Sequence, residues 1–316
     1  MNVLAISFGR KMSNCDVMAK QALLACQQQG HEIHFLRADD LNIQPCTGCI
    51  SCVIGMITGR GRGGCPIKDD FHIVDEAILN CDALILVTPT YEMCPTGKYR
   101  VLCDRLGPSH DVSFRKTAIE DGLAAGRDAS KLPDARSLKP RVGALVSVGG
   151  AMTRNWLAFT LPTMFAMPMS LGIDVIDTYE YYGAMAHEHV VGNEPVMARM
   201  TALGEHIHQA LTAPDEAGRT AWRGDEAGVC PVCHNRLLTF LREDGAVECP
   251  TCGIAGQLTC EDGRFGVRFP AEEVARSRLF YAGKLEHSTE IKTCAAPRGS
   301  IPNLKELLAP YQHVGD

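Results

Sequence analysis

Residues 2–15 read Asn2-Val3-Leu4-Ala5-Ile6-Ser7-Phe8-Gly9-Arg10-Lys11-Met12-Ser13-Asn14-Cys15 and place a short apolar run before a polar, glycine-containing loop. From about Cys15 to Gln29 the apolar residues recur at helical spacing, and Gly30 stands where a helix C′ residue ends such a segment. This succession predicts a buried strand, a tight connection and an amphipathic helix. It is the first unit of a fold in which strands and helices alternate.

Further compact apolar runs follow along the chain, and helical stretches separate them. One such helix carries apolar residues at Ile73, Val74, Ala77 and Ile78 and can be capped by Asp69 or Asp70. Because continuous apolar strands separated by helices indicate a parallel sheet covered on both faces, we expect an α/β fold with a doubly wound, five-stranded parallel sheet. Ligands of such sheets bind outside the carboxyl ends of the strands. The strand candidates are Asn2–Ile6, His31–Leu36, Ala83–Val87, Val142–Val148 and Gly172–Tyr179.

Changes of composition divide the chain into four parts. Residues 1–213 form the predicted α/β domain, with a polar, irregular insertion at about 107–140 that contains one short helix around Thr117–Ala125. A Gly/Asp/Glu-containing linker covers 214–227, and a cysteine-containing module covers 228–269. Residues 270–316 read as a C-terminal helix, within the amphipathic stretch Ala271–Tyr281, and a proline-containing tail.

Composition and the N-terminal sequence bear on compartment and partners. Of the 316 residues, 46% are hydrophobic and the net charge is −6, which gives no global electrostatic reason to bind nucleic acid. No apolar stretch reaches the roughly 20 residues of a membrane span, and Met1 is followed by no basic leader or cleavage site. We therefore expect a cytoplasmic protein with no membrane partner, in which the fifteen cysteines stay reduced and serve metal or redox roles.

Two groups of cysteines have the spacing of metal ligands. The pairs Cys230/Cys233 and Cys249/Cys252 are separated by fifteen residues, which fits a structural zinc ribbon; the alternative is a rubredoxin-like Fe(Cys)₄ centre. The first group has three cysteines in series and a remote fourth, which is typical of a [4Fe–4S] cluster. Free or redox-active thiols, or another metal, are its alternatives. Its members are Cys46, Cys49, Cys52 and Cys65.

Two loops at predicted strand ends have the chemistry of a cofactor site. Ser7–Cys15 offers hydroxyls, a glycine, two cations and a helix N-terminus to a phosphate, although Ser-Asn before a helix is also an ordinary cap. Thr88–Lys98 is rich in proline and hydroxyls and carries Tyr91, which suits a flat ring. Neither loop has the spacing of a P-loop or a dinucleotide fingerprint.

In these motifs the sequence resembles the flavodoxin-like NAD(P)H-dependent FMN reductases, and within them the iron–sulfur flavoproteins. The resemblance covers roughly residues 1–190 and is carried by S-x-x-R-x-x-S-N-C at Ser7–Cys15, C-T-G-C-x-x-C, C-P-I-K-D-D, T-P-T-Y with G-K and D-R, and the Gly149-Gly150 turn. It implies that residues 1–213 are an FMN-binding domain. The residues implied to hold the FMN phosphate are Ser7, Arg10, Ser13, Asn14 and Cys15, where the family usually has Thr at the last position. Those implied to surround the isoalloxazine are Pro89, Thr90, Tyr91, Met93, Cys94, Gly149 and Gly150.

The resemblance implies an FMN-dependent NAD(P)H oxidoreductase that passes electrons to a small-molecule or protein acceptor. A nearby [4Fe–4S] cluster would split the two electrons of a hydride, and the chemistry would belong to the flavin. The alternative is an iron–sulfur electron carrier reduced by ferredoxin or a partner enzyme. A ribbon that recognises nucleic acid ranks last, since Arg236 and Arg242 are its only cations within Cys230–Gly263. The family also implies a homodimer or homotetramer.

The glycine- and arginine-containing segment Gly59–Gly64 permits two interpretations. The simpler is a flexible linker between Cys52 and Cys65. In the sharper one, Arg60 or Arg62 binds the 2′-phosphate of NADPH, because a guanidinium can grip phosphate in bidentate fashion.

Overall fold

A computed structural model describes residues 1–225, 228–241, 245–294 and 301–315. Parts of the predicted linker (226–227), of the predicted ribbon (242–244, which include Arg242) and of the predicted tail (295–300 and 316) lie outside the described residues. No helix in the described ranges combines the length and apolar character that crossing a lipid bilayer requires.

The main sheet has five parallel strands in the order β2-β1-β3-β5-β6, and a short antiparallel strand, β4, pairs with the end of β3. All five predicted strands are therefore confirmed, and the order reverses once, between β1 and β3. This is the flavodoxin-like, doubly wound arrangement that the sequence predicts. The strands are β1 (Asn2–Ser7), β2 (Glu32–Arg37), β3 (Ala83–Tyr91), β4 (Cys94–Pro95), β5 (Arg141–Val148) and β6 (Ile173–Tyr181).

Helices cover both faces of this sheet, and the strands alternate their side chains between two cores. Leu4 and Ile6 point into one core, toward α3 and α4, whereas Val3 and Ala5 point into the other, toward α1 and α8. The helices of the domain are α1 (Asn14–Gln28), α2 (Ser51–Ile57), α3 (Phe71–Asn80), α4 (Gly97–His110), α5 (Val112–Ala124), α6 (Thr160–Met164), α7 (Ala166–Leu171), α8 (Glu194–Leu211) and α9 (Glu216–Thr220).

A local signal at the C-terminal end of α1 explains where the helix stops. Gly30 has φ +83°, and the amide of His31 reaches back to the carbonyl of Cys26 at 3.2 Å, as in a Schellman-type ending. Along its length α1 packs on α8 so closely that a Cβ on Gly204 would lie 2.4 Å from the carbonyl oxygen of Ala22. The expected helix over Cys15–Gln29 is thus confirmed to within one residue.

The segment at 107–140 is more regular than the sequence indicates. Helix α4 continues through Gly107 and Pro108 to His110, and α5 begins directly after Asp111, whose carboxylate accepts a hydrogen bond from the amide of Ser113 at 2.9 Å. The expectation of one short helix around Thr117–Ala125 is wrong in extent, because the Asp111 cap starts the helix five residues earlier.

The C-terminal module contains a four-stranded antiparallel sheet in the order β10-β9-β8-β7. Its strands are β7 (Thr239–Phe240), β8 (Ala246–Cys249), β9 (Ile254–Glu261) and β10 (Arg264–Arg268). The predicted amphipathic stretch forms only the short helix α10 (Ala271–Ala275), and the longer helix α11 (Tyr281–Cys294) was not predicted. Within residues 281–290 of α11, the buried positions are Gly283, Lys284 and Ser288, so this part of the helix has no apolar stripe. The last helix is α12 (Leu304–Leu308).

Candidate functional site

The loop after β1 and the start of α1 form a cradle at the carboxyl edge of the sheet. A Cβ on Gly9 would lie 2.5 Å from Ser13 Oγ and 2.7 Å from Cys15 Cβ, so only glycine fits there. Ser13 Oγ is buried and has no hydrogen-bond partner among the described residues. An unpaired buried hydroxyl at a helix N-terminus is a vacant donor suited to an anion. Burial foremost raises the pKa of the Cys15 thiol, which therefore stays neutral beneath the loop.

Asp16 holds this loop in shape. Its fully buried carboxylate accepts hydrogen bonds from Ser7 Oγ at 2.6 Å and from the amide of Met12 at 2.9 Å. Arg37, at the end of β2, supplies the counter-charge at 2.8 Å. The Ser7 hydroxyl donates its hydrogen bond to Asp16, so Ser7 helps to fix the shape of the loop. Arg10 lies exposed at the rim of the loop.

The loop after β3 turns back on itself without a glycine. Glu92 and Met93 both have positive φ, 47° and 65°, and the chain returns as Cys94–Pro95. Left-handed backbone at two consecutive non-glycine residues is costly and is typical of functional sites. Thr160, at the start of α6, stabilises the turn because its Oγ1 lies 2.9 Å from Thr90 Oγ1 and donates to the carbonyl of Met93 at 3.1 Å.

The loop after β5 completes the edge. Gly149 donates to the carbonyl of Tyr181 at 2.8 Å, and a Cβ there would lie about 2.4 Å from Leu157. On Gly150 a Cβ would lie 2.7 Å from Met185. Ser147, just before this turn, has a fully buried Oγ with no partner in the described ranges. It is the second orphaned hydroxyl at the same edge of the sheet.

The chain after β6 packs against the first loop. His189 Nε2 lies 3.0 Å from the carbonyl oxygen of Met12, and Asn14 Oδ1 accepts from the amide of Val190 at 3.0 Å. The same sheet edge carries the residues of all three predicted loops, as parallel strands require. These are Ser7–Cys15, Gly149-Gly150, and Pro89, Thr90, Tyr91, Met93 and Cys94. The three predicted loops are therefore neighbours.

The first cysteine group lies in the connection between β2 and α3. Gly48 and Ile50 have positive φ, 68° and 48°, and the Gly48 amide donates to Cys46 Sγ at 3.4 Å. Burial foremost raises the pKa of Cys52, and the charges of Cys65 and Cys46 add to the effect. Cys49 is exposed, and hydrogen bonds from Ser51 and Thr47 lower its pKa.

A buried ion pair, Asp69–Arg105, clasps both ends of this cysteine loop. Arg105 donates to Asp69 at 2.6 and 3.1 Å and to the carbonyl of Gln44 at 2.8 Å, while Asp69 accepts from the Gln44 amide at 2.8 Å. Asp69 also accepts from the amide of Phe71 at 3.0 Å, so it, rather than Asp70, binds the first amide of α3. Residues 44 and 69 are thereby fixed side by side, with Cys46–Cys65 between them.

The arginines of the Gly59–Gly64 segment differ in their surroundings. Arg62 donates from Nε to the carbonyl of Leu132 at 3.0 Å and so ties the segment to the 107–140 region. Arg60 is exposed. Their relation to NADPH stays a prediction.

The second cysteine group converges. Among the described residues, only its four members bring their ligand atoms within 4.8 Å of one another. Two sulfur pairs lie 3.6 Å (Cys230–Cys252) and 3.5 Å (Cys233–Cys249) apart. Zinc–sulfur bonds of about 2.3 Å give a tetrahedron with edges of about 3.8 Å, so a single tetrahedral ion fits. A [4Fe–4S] cluster binds each thiolate through a different iron, so its four cysteine sulfurs must lie farther apart than these do.

The two knuckles of this site have the same backbone turn. The residue after each pair, His234 or Gly253, has positive φ, and its amide donates to the carbonyl of the first cysteine, Cys230 or Cys249, at 3.1 or 2.7 Å. In the first knuckle a histidine occupies the position that favours glycine, and Trp222 stacks on it with ring centroids 4.0 Å apart.

Several residues of the site were not identified from the sequence. Asp16, Arg37 and Thr160 act through contacts with distant segments, and local spacing carries no signal for them. Asp69 was expected only as a possible helix cap and as part of one family motif, and Arg105 only as part of another. One signal was available for Arg105. A charged residue within an apolar helix face is buried only when it has an oppositely charged partner.

Comparisons with known proteins agree with this geometry. The family model described as NADPH-dependent FMN reductase matches residues 1–188. The chain is 30% identical over 315 residues to flavone synthase cfoJ of Aspergillus candidus, covering 97% of this chain and 94% of that protein. It is also 30% identical over 127 residues to an iron–sulfur flavoprotein of Methanocaldococcus jannaschii, covering 40% of this chain and 62% of that protein.

A solved structure of similar extent is titled flavone reductase. It has a TM-score of 0.76 and 26% sequence identity to this protein and covers 99% of this chain and 93% of its own. The similarity therefore includes the C-terminal module. Together with the family match over more than half of the chain, these likenesses establish a flavin-dependent oxidoreductase fold and activity class. The chain belongs to the NADPH-dependent FMN reductase family.

Proposed function

We propose that this FMN-dependent oxidoreductase uses NAD(P)H to reduce a flavone-type acceptor, a flat aromatic ketone conjugated to a carbon–carbon double bond. In the reaction a hydride from NAD(P)H and a proton from solvent add across that double bond, and NAD(P)⁺ is released. The observation that carries the proposal is the extent of similarity. The two relatives matched along nearly their whole length, C-terminal module included, are named for flavone chemistry, whereas the iron–sulfur flavoprotein matches 40% of the chain.

The carboxyl edge of the sheet fits FMN. We assign the phosphate to the Gly9 cradle, where Ser13 Oγ is an unpaired donor, and the isoalloxazine to the two later loops, where Ser147 Oγ is another. Bound FMN would supply the hydride-transfer chemistry. The residues of the phosphate cradle are Ser7, which shapes the loop through Asp16, and Arg10, Ser13, Asn14 and Cys15. The ring residues are Pro89, Thr90, Tyr91, Met93, Cys94, Gly149 and Gly150.

Gly9→Ala should weaken FMN binding at least tenfold while the domain stays folded. The added methyl would lie 2.5 Å from Ser13 Oγ, so the loop must open and lose its shape around the phosphate. Equilibrium dialysis of FMN measures the change. Gly192→Ala is the matched control, since no described atom lies within 4 Å of its added Cβ. Equal FMN affinity in the two variants would show that the phosphate binds elsewhere.

Anaerobic stopped-flow spectroscopy tests the reaction in two steps. NADPH should bleach the flavin of the wild-type protein, and subsequent flavone should restore the oxidised spectrum with formation of the reduced product. Bleaching without reoxidation would show that flavone is not the acceptor, while the proposed NADPH-dependent reduction of the flavin would still stand. Bleaching by reduced ferredoxin but not by NAD(P)H would instead support the electron-carrier alternative.

For the first cysteine group we propose a [4Fe–4S] cluster bound by Cys46, Cys49, Cys52 and Cys65. Support comes from the spacing of the four cysteines along the chain and from the left-handed turns that let the Gly48 amide reach Cys46 Sγ. Anaerobically purified protein should contain four iron atoms beyond the C-terminal metal, and Cys52→Ser should lose them. Cys260→Ser, at an exposed cysteine of the other module, should retain them. If the wild-type protein contains flavin and zinc but no iron, the cluster proposal is wrong and the first cysteine group consists of free thiols.

For partners and location we propose a cytoplasmic homodimer or homotetramer that binds NAD(P)H and the acceptor. Large apolar side chains stand exposed around the carboxyl edge, among them Trp156 at 59% and Met185 at 87%, and a second subunit would cover them. Sedimentation equilibrium of the FMN-loaded protein measures the assembly.

A further inference from the structure

A cleft of about 370 Å³ lies between the α/β domain and the first knuckle of the C-terminal module. The domain contributes Ala158, Leu161, Tyr179 and Tyr182, and the module contributes the segment His234–Leu237. Its size is that of a small-molecule site, and it combines aromatic, aliphatic and polar walls, as such sites do.

Two lining residues of this cleft directly follow residues that contact the loops of the proposed flavin site. Leu161 follows Thr160, whose hydroxyl contacts Thr90 and the carbonyl of Met93. On the other side, Tyr182 follows Tyr181, whose carbonyl accepts the amide of Gly149. A ligand that contacts Leu161 and Tyr182 would therefore lie beside both loops assigned to the isoalloxazine.

Charge in the cleft is balanced, which favours a neutral ligand. Asp225 is paired with Arg199. Glu180 accepts from the Tyr182 hydroxyl at 2.7 Å, and that oxygen in turn accepts from Arg154 Nε at 3.3 Å. The lining holds two guanidinium groups, of Arg154 and Arg236, and two carboxylates, of Glu180 and Asp225. A neutral aromatic ketone would meet the two phenol rings and the apolar side chains.

The knuckle adds an unsatisfied polar atom to this wall. His234 Nδ1 is buried and has no hydrogen-bond partner in the described part of the chain. Trp222 stacks on the ring and fixes its plane.

We infer that the cleft binds the aromatic rings of the acceptor, so that the C-terminal metal module supplies one wall of the acceptor site. The inference rests on the proposed function, since it identifies the place where the flavone-type acceptor binds. It gives the module a role in substrate recognition beyond its own folding.

The test is a calorimetric titration of FMN-loaded protein with unsubstituted flavone. Leu237→Trp fills the cleft from the module side and should weaken flavone binding at least tenfold. Ala158→Leu fills it from the domain side and should act in the same direction, so the result does not depend on one variant folding. Leu258→Trp makes the same substitution at an exposed leucine of the module, outside the cleft lining, and should bind flavone as the wild type does.

The outcomes separate this inference from the proposed function. Loss of binding in both cleft variants, with retained metal content and normal binding in Leu258→Trp, supports it. Wild-type affinity and turnover of flavone in both cleft variants would overturn the inference and leave the proposed function standing. Failure of the wild type to bind flavone would overturn both.

Discussion

Replacing Cys233 by Ala is expected to release the metal and unfold the C-terminal module. Four buried cysteine sulfurs converge there, and the described strands around them form a small sheet with little apolar interior of its own. Structural zinc sites of this kind contribute about 10–16 kcal/mol of apparent binding free energy at pH 7, which is folding free energy for the module. Three ligands hold the ion far less tightly, so we expect the largest effect of any single substitution here.

Metal analysis and hydrogen exchange measure this result. The variant should contain less than one zinc per chain, and the amides of Ala246–Cys249 and Ile254–Glu261 should lose protection. Cys260→Ala is the control. Cys260 lies in strand β9, as the amides of Ile254–Glu261 do, but its side chain is exposed. Full protection in metal-free Cys233→Ala would mean that packing on the α/β domain alone folds the module. Iron in place of zinc in the wild type would identify the rubredoxin-like alternative.

Asp69→Asn is expected to destabilise the α/β domain by about 3–5 kcal/mol. The substitution leaves the Arg105 guanidinium buried without its counter-charge, and breaking one half of a buried pair has that cost. Both side chains are nearly inaccessible, at 2% and 0% exposure. Urea unfolding of the FMN-loaded protein measures the change. Asp104→Asn is the matched control on helix α4, since its pair with Arg100 lies at the surface and should be worth less than about 1 kcal/mol.

The same pair predicts a dependence of stability on pH. Burial by itself would raise the pKa of Asp69, but hydrogen bonds from Arg105 and from the amides of Gln44 and Phe71 outweigh it and lower that pKa. The stabilisation is therefore complete above the unfolded value of about 3.9 and is lost as the pH falls through the lower folded value. The free-energy difference between wild type and Asp69→Asn should be constant near neutrality and shrink below about pH 4. A constant difference down to pH 3 would contradict this assignment.

The sequence predicted those parts of the structure that depend on local pattern. Strands β1, β3 and β5 contain continuous apolar runs, β2 and β6 mix apolar with polar residues, and Gly30 marked the end of α1 within one residue. The C-terminal cysteines were identified as a metal site because ligand spacing within a knuckle is a local property, and the structure brings the two pairs together.

Features that depend on distant contacts were not predictable in this way. The Asp16–Arg37 and Asp69–Arg105 pairs join segments that no sequence period connects. Helix α5 was underestimated because its start depends on the Asp111 cap rather than on apolar spacing. Helix α11 was missed because the buried positions within its residues 281–290 are Gly283, Lys284 and Ser288, which give no apolar signal. The residues assigned to FMN and to the [4Fe–4S] cluster stay predictions until the cofactors are measured.

The ribbon cysteines and Ile254 belong to the same contiguous apolar cluster as Leu4 and Leu86 of the main sheet. A module whose interior is continuous with that of its neighbour cannot be exchanged between proteins as an independent cassette, because excision would expose apolar surface on both sides. Inheritance of the two parts together is the expected outcome, with substitutions on one side of the boundary compensated on the other. Relatives that have the module should therefore be similar along their entire length, as the flavone synthase is.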